Sequence, residues 1–258
     1  MDILRKELNR IYVAQRLADS VLPPAGLERC KAMADTLVGV SGGCTVITDA
    51  ACDRCYVYSG GFGRYMGFAT DGDASPLELC SSDEDLVYNR IHPEDLVDKR
   101  MLEFEFFKLA DRLPPDEKMS VKAVCHLRMR DRSGEFVYVD NSTQVVCLSP
   151  EGKIWLILCC YDISPRQQRQ QGITPAIIGM NSGLIQPQSF DTQRRCFLSD
   201  REKEILKLIR DGRPSKQIAA LLGISVNTVS RHRQNIIAKL SVGNSIEAVT
   251  AATAMNLL

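Results

Sequence analysis

The stretch SVNTVSRHRQNIIAKL, residues 225–240, places hydrogen-bonding and cationic side chains among regularly spaced aliphatic residues. Arginine can donate two hydrogen bonds to guanine, asparagine and glutamine pair similarly with adenine, and serine contacts several bases. On a helix, residues three, four, seven and eight apart lie on one face. The spacing therefore predicts one face that reads base edges, formed by Asn227, Ser230, Arg231, Gln234 and Asn235.

A second group of residues in the same region is suited to the phosphate backbone of a nucleic acid. Cationic and hydroxyl side chains at phosphates fix the register of a complex and add salt-dependent affinity without reading sequence. The predicted phosphate contacts are Lys216, Thr228, Arg233 and Lys239.

Three helices are predicted to position these side chains. LSDREKEILKLIRDG begins with Ser199 and Glu202 in a capping box and ends at Gly212. A second helix runs from Ser215 to Gly223, and a third begins after Ser225 as its N-cap. Two short helices joined by a glycine turn are typical of a helix-turn-helix. Its predicted core positions are Ile218, Leu222, Ile224, Val229 and Ile236.

The motifs LSDRE, IAALLGIS, NTVSRHR, AKL and EAV make about 55 continuous residues resemble the DNA-binding domain of the LuxR/FixJ family of bacterial regulators. The resemblance implies four helices, with the third in the major groove and the fourth commonly used for dimerisation. It places Ser230, Arg231 and Gln234 toward the bases and Val229 and His232 on the packing side. Many members carry Lys or Arg where this chain has Ser230, so the resemblance does not give the operator sequence.

Charge is unevenly distributed along the 258 residues. Lys plus Arg and Asp plus Glu both number 32, but residues 196–258 carry nine cationic against five acidic residues, a net of +4, and residues 1–195 a net of −4. No apolar run approaches the roughly 18 residues that a membrane-spanning helix needs, and the start lacks the layout of a signal peptide. The sequence therefore predicts a cytoplasmic protein with reduced cysteines and no membrane partner.

The first part of the chain has a different organisation. Residues 2–21 have the spacing of an amphipathic helix, and a meander of three strands follows a helical segment that ends at Pro114. The motifs GRYMGF, IHPEDL, RDRSGEF and YDIS resemble a PAS domain, which implies binding of a small ligand or cofactor, or dimerisation and signalling. The predicted fold class is thus an α+β PAS-like domain followed by an all-α four-helix helix-turn-helix domain. The predicted boundaries are an N-terminal amphipathic helix at 1–22, a PAS-like sensor at 23–165, a linker at 166–195 and the helix-turn-helix domain at 196–258.

Candidate cofactor ligands in the first part are few, and the cofactor stays unknown. The reactive cysteine of an NCR-type flavin motif is missing, and His92 is expected to cap a helix, whereas His126 is expected to be solvated on a polar strand face. Cys52 and Cys55, with Cys44 nearby, offer two thiols at a spacing that fits a metal ion or a redox pair, but no second CxxC accompanies them. No catalytic residue or metal site is predicted.

The sequence predicts a non-enzymatic bacterial transcription regulator that binds double-stranded DNA as a homodimer. The candidate dimer surfaces are the N-terminal amphipathic helix and the last helix, which carries Ile246, Val249 and Thr253 on one side. An unknown small-molecule ligand and RNA polymerase are further candidate partners. The alternative is a factor resembling region four of sigma factors, or one recruited by a partner, whose first domain is a protein-interaction module.

Overall fold

The computed structural model divides the chain into two compact units, one ending at Gln188 and the other starting at Ser189. The residues that it describes are Ile11, Gln15, Leu17, 20–70, 76–82, 84–168, 172–190, 198–240, 242–254 and 257–258. Most of the amphipathic helix predicted at residues 2–21 lies outside these ranges.

The first unit is built on an antiparallel sheet. Its described strands are β1 Cys44–Asp49, β2 Arg54–Tyr58, β3 Leu77–Leu79, β4 Val121–Arg130, β5 Phe136–Leu148, β6 Ile154–Ile163, β7 Ala176–Gly179 and β8 Ile185–Pro187. Their spatial order is β3-β2-β1-β6-β5-β4-β7-β8.

Helices precede β1 and fill the connection between β2 and β4. Proline marks both ends of the longest of these helices, α4 Pro93–Arg112: Pro93 lies in its first turn, and the helix ends before Pro114. The described helices are α1 Pro24–Ser41, α2 Gly60–Met66, α3 Asp85–Tyr88, α4 Pro93–Arg112 and α5 Pro115–Lys118.

The three-stranded meander predicted from the sequence is confirmed as β4, β5 and β6. In β4 the residues Ala123, Cys125, Leu127 and Met129 are buried at alternate positions, as a half-buried strand requires. β6 was expected to lie centrally because it is apolar on both faces, and it lies between β1 and β5.

The linker predicted at residues 166–195 was wrong over Ala176–Pro187. β7 pairs with β4, from Val121 opposite Gly179 to Val124 opposite Ala176, and β8 pairs with β7. Because the Gln, Pro and Gly content of this segment is not typical of strands, β7 and β8 were not predicted. β8 lies at the edge of the sheet, where a proline such as Pro187 is tolerated. The other predicted domain boundaries stay predictions.

One face of the sheet is covered by α1. Cys30 and Ala34 on this helix pack against Ile47 and Tyr56 of the sheet in a buried apolar cluster that also holds Trp155. The indole N–H of Trp155 donates to Asp49 at 3.1 Å. The cluster fixes α1 to β1, β2 and β6.

The opposite face packs against α3 and α4 and contains buried charge. Lys99 donates to Glu103, and the Tyr88 hydroxyl donates to the same carboxylate oxygen at 2.6 Å. Burial opposes the charge of Lys99, but the adjacent Glu103 carboxylate outweighs it and raises the lysine pKa. Burial raises the pKa of Glu84, because it disfavours the charged carboxylate, and Glu84 accepts from the Tyr161 hydroxyl at 2.6 Å. This polar network was not predicted from the sequence.

The second unit is helical, with α6 Asp200–Arg210, α7 Ser215–Leu222, α8 Val226–Leu240 and α9 Ser245–Ala254. The capping box predicted at the start of α6 is confirmed: the Glu202 N–H donates to Ser199 and the Ser199 N–H donates to Glu202. Gly212 follows α6 with φ of 75°. The predicted fold class, an α+β PAS-like unit followed by an all-α four-helix unit, is therefore confirmed. In the described residues, no helix is both long and apolar enough to cross a membrane.

Candidate nucleic-acid interface

The turn between α7 and α8 sets the direction of the second helix. Gly223 has φ of 63°, in the left-handed region, and its N–H donates to carbonyls of the last turn of α7. The Thr228 N–H then donates to the Ser225 hydroxyl at 3.0 Å, so Ser225 caps α8 as predicted. Both turn residues were identified from the sequence.

The inner side of this helix pair is packed. Ile218, Val229 and Ile236 are at most 1% exposed, and Ala219 is 6% exposed. Leu222 and Ile224, also predicted for the core, are half-buried. Apolar packing on this side determines which face of α8 remains at the surface.

The outer side of α8 carries the predicted base-reading residues. All five are exposed and share one helical face: Asn227, Ser230, Arg231, Gln234 and Asn235. The structure therefore brings together donors and acceptors of the types that recognise base edges. Their roles in base reading stay predictions.

The four residues predicted to contact phosphate have different surroundings. Lys216 is exposed, and the Thr228 hydroxyl lies 2.8 Å from the Ser225 hydroxyl. The Arg233 guanidinium donates to Ser215 at 2.9 Å and to Ser245 at 3.1 Å. Arg233 thus links α7 and α9, and its role at phosphate stays a prediction.

Lys239 also has a partner within the protein. Its ammonium lies 2.6 Å from the Glu202 carboxylate, and the two side chains are 18% and 4% exposed. Burial opposes ionisation of Glu202, but the hydrogen bonds from Lys239 and Ser199 outweigh it and lower the glutamate pKa. The phosphate role of Lys239 stays a prediction, while its ion pair joins α6 to α8.

Sequence reasoning did not find a further link, made by Arg201. Its guanidinium donates to the Leu222 carbonyl at 2.7 Å and pairs with Glu204. Because Leu222 ends α7, this bond satisfies a terminal carbonyl of the helix before the turn. A separation of 21 residues leaves no periodic signal by which the contact could have been predicted.

The exposed side of α9 carries the residues predicted for dimerisation. Ile246 is 78% exposed, Val249 is half-buried and Thr253 is exposed. The inner side is packed through Ala248 and Ala252, which are fully buried. The role of these three residues in dimerisation stays a prediction.

The predictions for the two histidines of the first unit, His92 and His126, have different outcomes. His92 caps α4 by accepting from the Glu94 N–H at 3.3 Å, so the predicted capping role is confirmed. The expectation that His126 is solvated was wrong, because it is 8% exposed and its Nδ1 lies 2.7 Å from Asp140. The neighbouring Tyr138 ring stacks on its imidazole and shields it from water.

His92, Glu94 and Asp95 bring three potential metal ligands together. The Arg128 guanidinium already lies 2.8 Å from Glu94 and 2.6 Å from Asp95. A cation at the carboxylates would meet this fixed positive charge, which disfavours metal binding there.

The two cysteines of the predicted pair differ in exposure, with Cys52 exposed and Cys55 buried. Burial and the nearby Asp49 raise the pKa of Cys52 to about 11, and burial raises that of Cys55 further. The Cys55 thiol is fully buried and lies 3.4 Å from the Thr48 hydroxyl. Because the thiolate is the reactive and metal-binding form, these protonated thiols are poorly suited to either role.

Residues 197–252 match a family model described as bacterial regulatory proteins, luxR family. This segment contains α6, α7, α8 and most of α9, so the helix-turn-helix of this chain lies in a luxR-family domain. The match confirms the resemblance that the motifs of the C-terminal residues indicated.

Curated relatives match over limited parts of their length. The transcriptional activator protein CarR of Pectobacterium carotovorum subsp. carotovorum is 45% identical over 67 residues, which are 26% of this chain and 28% of CarR. The transcriptional activator protein AnoR of Acinetobacter nosocomialis is 28% identical over 116 residues, 43% of this chain and 48% of AnoR. The chain therefore spans less than half the length of these two relatives.

Two solved structures are similar to this chain at low sequence identity. A sensory box histidine kinase/response regulator from Burkholderia thailandensis E264 is 17% identical, with a TM-score of 0.33, and the alignment covers 50% of this chain and 81% of that chain. The Vibrio cholerae VqmA dimer, described as a LuxR-type receptor, is 15% identical with a TM-score of 0.28, covering 86% of this chain and 88% of VqmA.

Proposed function

We propose that this protein is a bacterial transcription regulator that binds operator DNA through α7 and α8. The observation that carries the proposal is the outer face of α8, where five exposed polar residues lie opposite a packed apolar side. Such a helix fits the major groove, where each base pair presents its own pattern of donors and acceptors.

In the proposed complex, Asn227, Ser230, Arg231, Gln234 and Asn235 read base edges. Lys216 contacts phosphate from the first turn of α7 and Thr228 from the first turn of α8, and Arg233 and Lys239 on α8 add positive charge. The net charge of +4 over residues 196–258 supports attraction of this part of the chain to DNA.

The first unit is proposed to control DNA binding as a PAS-like sensor or dimerisation domain. A cavity of about 330 Å³ supports a sensory role, since its volume suits a small ligand. It is lined by α1, β2, α2 and the residues that follow α2, including Asp35, Val57 and Phe68. We assign the protein no enzymatic role and place its action in the cytoplasm.

Dimerisation through the exposed side of α9 completes the proposal. A two-fold protein dimer presents two α8 helices to the two halves of a symmetric operator. At a promoter, RNA polymerase becomes a further proposed partner.

The test is selection of duplexes from a library with a random central segment by the full-length protein. Enrichment of one palindromic motif would support an operator-binding dimer. Recovery of unrelated sequences in proportion to the starting library, at salt concentrations that retain binding, would contradict sequence reading by α8.

A further inference from the structure

The polar network between the sheet and the helices α3 and α4 holds two carboxyl groups in the interior of the first unit. Glu84 is the residue before α3 and Glu103 lies on α4, and each is 2% exposed. The ammonium of this network belongs to Lys99, which is fully buried. If both acids were ionised, one negative charge would stay without a counter-charge away from water. Such a charge is costly, and the usual outcome is that one acid keeps its proton.

The hydrogen bonds of Glu103 favour its ionised form. Its Oε1 accepts from the Lys99 ammonium and from the Tyr88 hydroxyl, the latter at 2.6 Å. Lys99 also donates to the Thr143 hydroxyl at 3.2 Å. In the described part of the chain, Oε2 of Glu103 is buried without a hydrogen-bond partner. The negative charge of Glu103 is therefore only partly satisfied, and a second carboxylate nearby would add to the cost.

Glu84 has weaker support for a charge. It accepts from the Tyr161 hydroxyl at 2.6 Å and has a hydrogen bond with the Cys159 thiol. Among the residues that the structure describes, no cation forms an ion pair with Glu84, since Lys99 is paired with Glu103. Burial raises the pKa of Glu84, Lys99 acts against this rise, and Glu103 adds to it. The proton of the network is therefore expected on Glu84.

Groups that can carry charge surround Glu84 on the elements packed around it. The cations are Lys99 and Arg100 of α4, and the Arg100 guanidinium lies 5.0 Å from the centroid of the Tyr88 ring. The other groups are acids or thiols: Glu103 of α4, Tyr88 of α3, Cys44 of β1, Cys55 of β2, and Cys159, Cys160 and Tyr161 of β6. Most of these surroundings thus oppose a negative charge on Glu84.

Glu84 also holds the start of α3. Its backbone carbonyl accepts from the N–H groups of Val87 and Tyr88, both at 2.8 Å. Leu86 of the same helix lines the cavity of about 330 Å³. An ionised Glu84 would lower its free energy by turning toward water, and this movement would take the start of α3 away from β6.

We propose that Glu84 is a proton-operated switch in the first unit. In the closed form its side chain is a neutral carboxylic acid held against Tyr161. When the pH rises, the proton leaves to water, α3 is released from the sheet, and the cavity wall that contains Leu86 moves. The switch does not depend on the proposed DNA binding, so each can fail without the other.

The first test is the pH dependence of stability in the full-length protein. Since the folded pKa of Glu84 lies above the unfolded value of about 4.3, its contribution is fully present below that value and is lost as pH rises through the folded pKa. Glu84→Gln keeps the shape of the neutral acid but cannot lose a proton. The unfolding constant of wild type divided by that of Glu84→Gln should therefore rise by up to about 10-fold per pH unit in this window. The matched control Glu117→Gln, at an exposed position in α5, should give a ratio that does not change above about pH 6.

The second test follows the proton directly by carbon NMR of the glutamate carboxyl groups, with Glu84 assigned from its loss in Glu84→Gln. We expect Glu84 to titrate at higher pH than Glu117. As it titrates, the Val87 and Tyr88 amides should exchange with solvent faster than in Glu84→Gln at the same pH. Titration of Glu84 together with Glu117, titration of Glu103 in its place, or a stability ratio that is independent of pH would overturn the proposal. Unchanged exchange at Val87 and Tyr88 would overturn the release of α3.

Discussion

Glu202 has two structural roles that meet at one oxygen atom. Its Oε2 accepts from the Ser199 N–H at 2.8 Å, which caps α6, and from Lys239 at 2.6 Å, which holds the end of α8. The carboxylate is 4% exposed, so its charge depends on these donors rather than on water. Lys239 therefore has a role in stability that is separate from any contact with phosphate.

Lys239→Ala is expected to reduce the free energy of unfolding by about 1 to 3 kcal/mol, because it leaves a buried carboxylate short of a donor. Lys207→Ala removes the same charge from an exposed position on α6 and should change stability by less than about 0.5 kcal/mol. Urea unfolding of the full-length variants measures both. Equal stability of the two variants would show that the ion pair contributes nothing.

The same pair predicts a dependence of stability on pH. Since the folded state lowers the pKa of Glu202, its contribution is fully present above the unfolded pKa of about 4.3 and is lost as pH falls through the lower folded value. The stability difference between wild type and Glu202→Gln should therefore shrink as the solution is acidified below that range. A difference that grows toward acid pH would contradict the lowered pKa.

At the scale of elements, the helices of the second unit were predictable because their ends carry local signals. Ser199, Gly212, Gly223 and Ser225 each act within a few residues of their own position. The five exposed residues of α8 followed from helical periodicity alone. Contacts between distant segments had no such signal, which is why the Arg201 bond to α7 was missed.

In the first unit, too, features with a local sequence pattern were predictable, and contacts between distant segments were not. The meander was predictable because β4 alternates buried and exposed residues and turns separate the strands. β7 and β8 were missed, since their pairing depends on the free edge of β4 rather than on their own composition. His126 looked solvated beside charged neighbours, but cross-strand pairing with Asp140 and stacking on Tyr138 enclose it.

The turn between α7 and α8 gives a prediction about stability, and its control substitution should change stability in the opposite direction. Gly223→Ala is expected to cost about 1 to 2 kcal/mol, because φ of 63° is unfavourable for a residue with a Cβ although the space is open. Gly39→Ala, within α1 and also in open space, should instead stabilise by about 0.5 to 1 kcal/mol. Amide hydrogen exchange at increasing denaturant concentration measures the free energy of unfolding of each unit separately, and it therefore reports both changes. Stabilisation by Gly223→Ala would contradict the turn geometry.

At the scale of the whole molecule, the chain combines a net charge of −4 over residues 1–195 with +4 over residues 196–258. The basic part coincides with the luxR-family domain, and the acidic part contains the sheet with its cavities. This division is consistent with separate DNA-binding and sensory units in one chain. Symmetric operator binding then requires a contact between two copies.

Ile246→Asp should weaken self-association, because it places a charge on the exposed side of α9 proposed for the dimer. Val40→Asp makes the same change at a residue of α1 that is 85% exposed and should leave association unaffected. Sedimentation velocity at micromolar concentration compares the two variants with wild type. If wild type is monomeric both alone and with DNA, the dimer proposal fails.

Base reading by Arg231 on α8 is tested most directly by measuring DNA affinity across a set of single-base variants of the selected operator. Arg231→Ala should cost about 1 to 3 kcal/mol on the operator and lose discrimination at one base pair. Arg210→Ala removes an arginine from the end of α6 and should keep the full pattern of discrimination. An equal loss of affinity on every sequence with Arg231→Ala would contradict base reading by this residue and limit it to a phosphate contact.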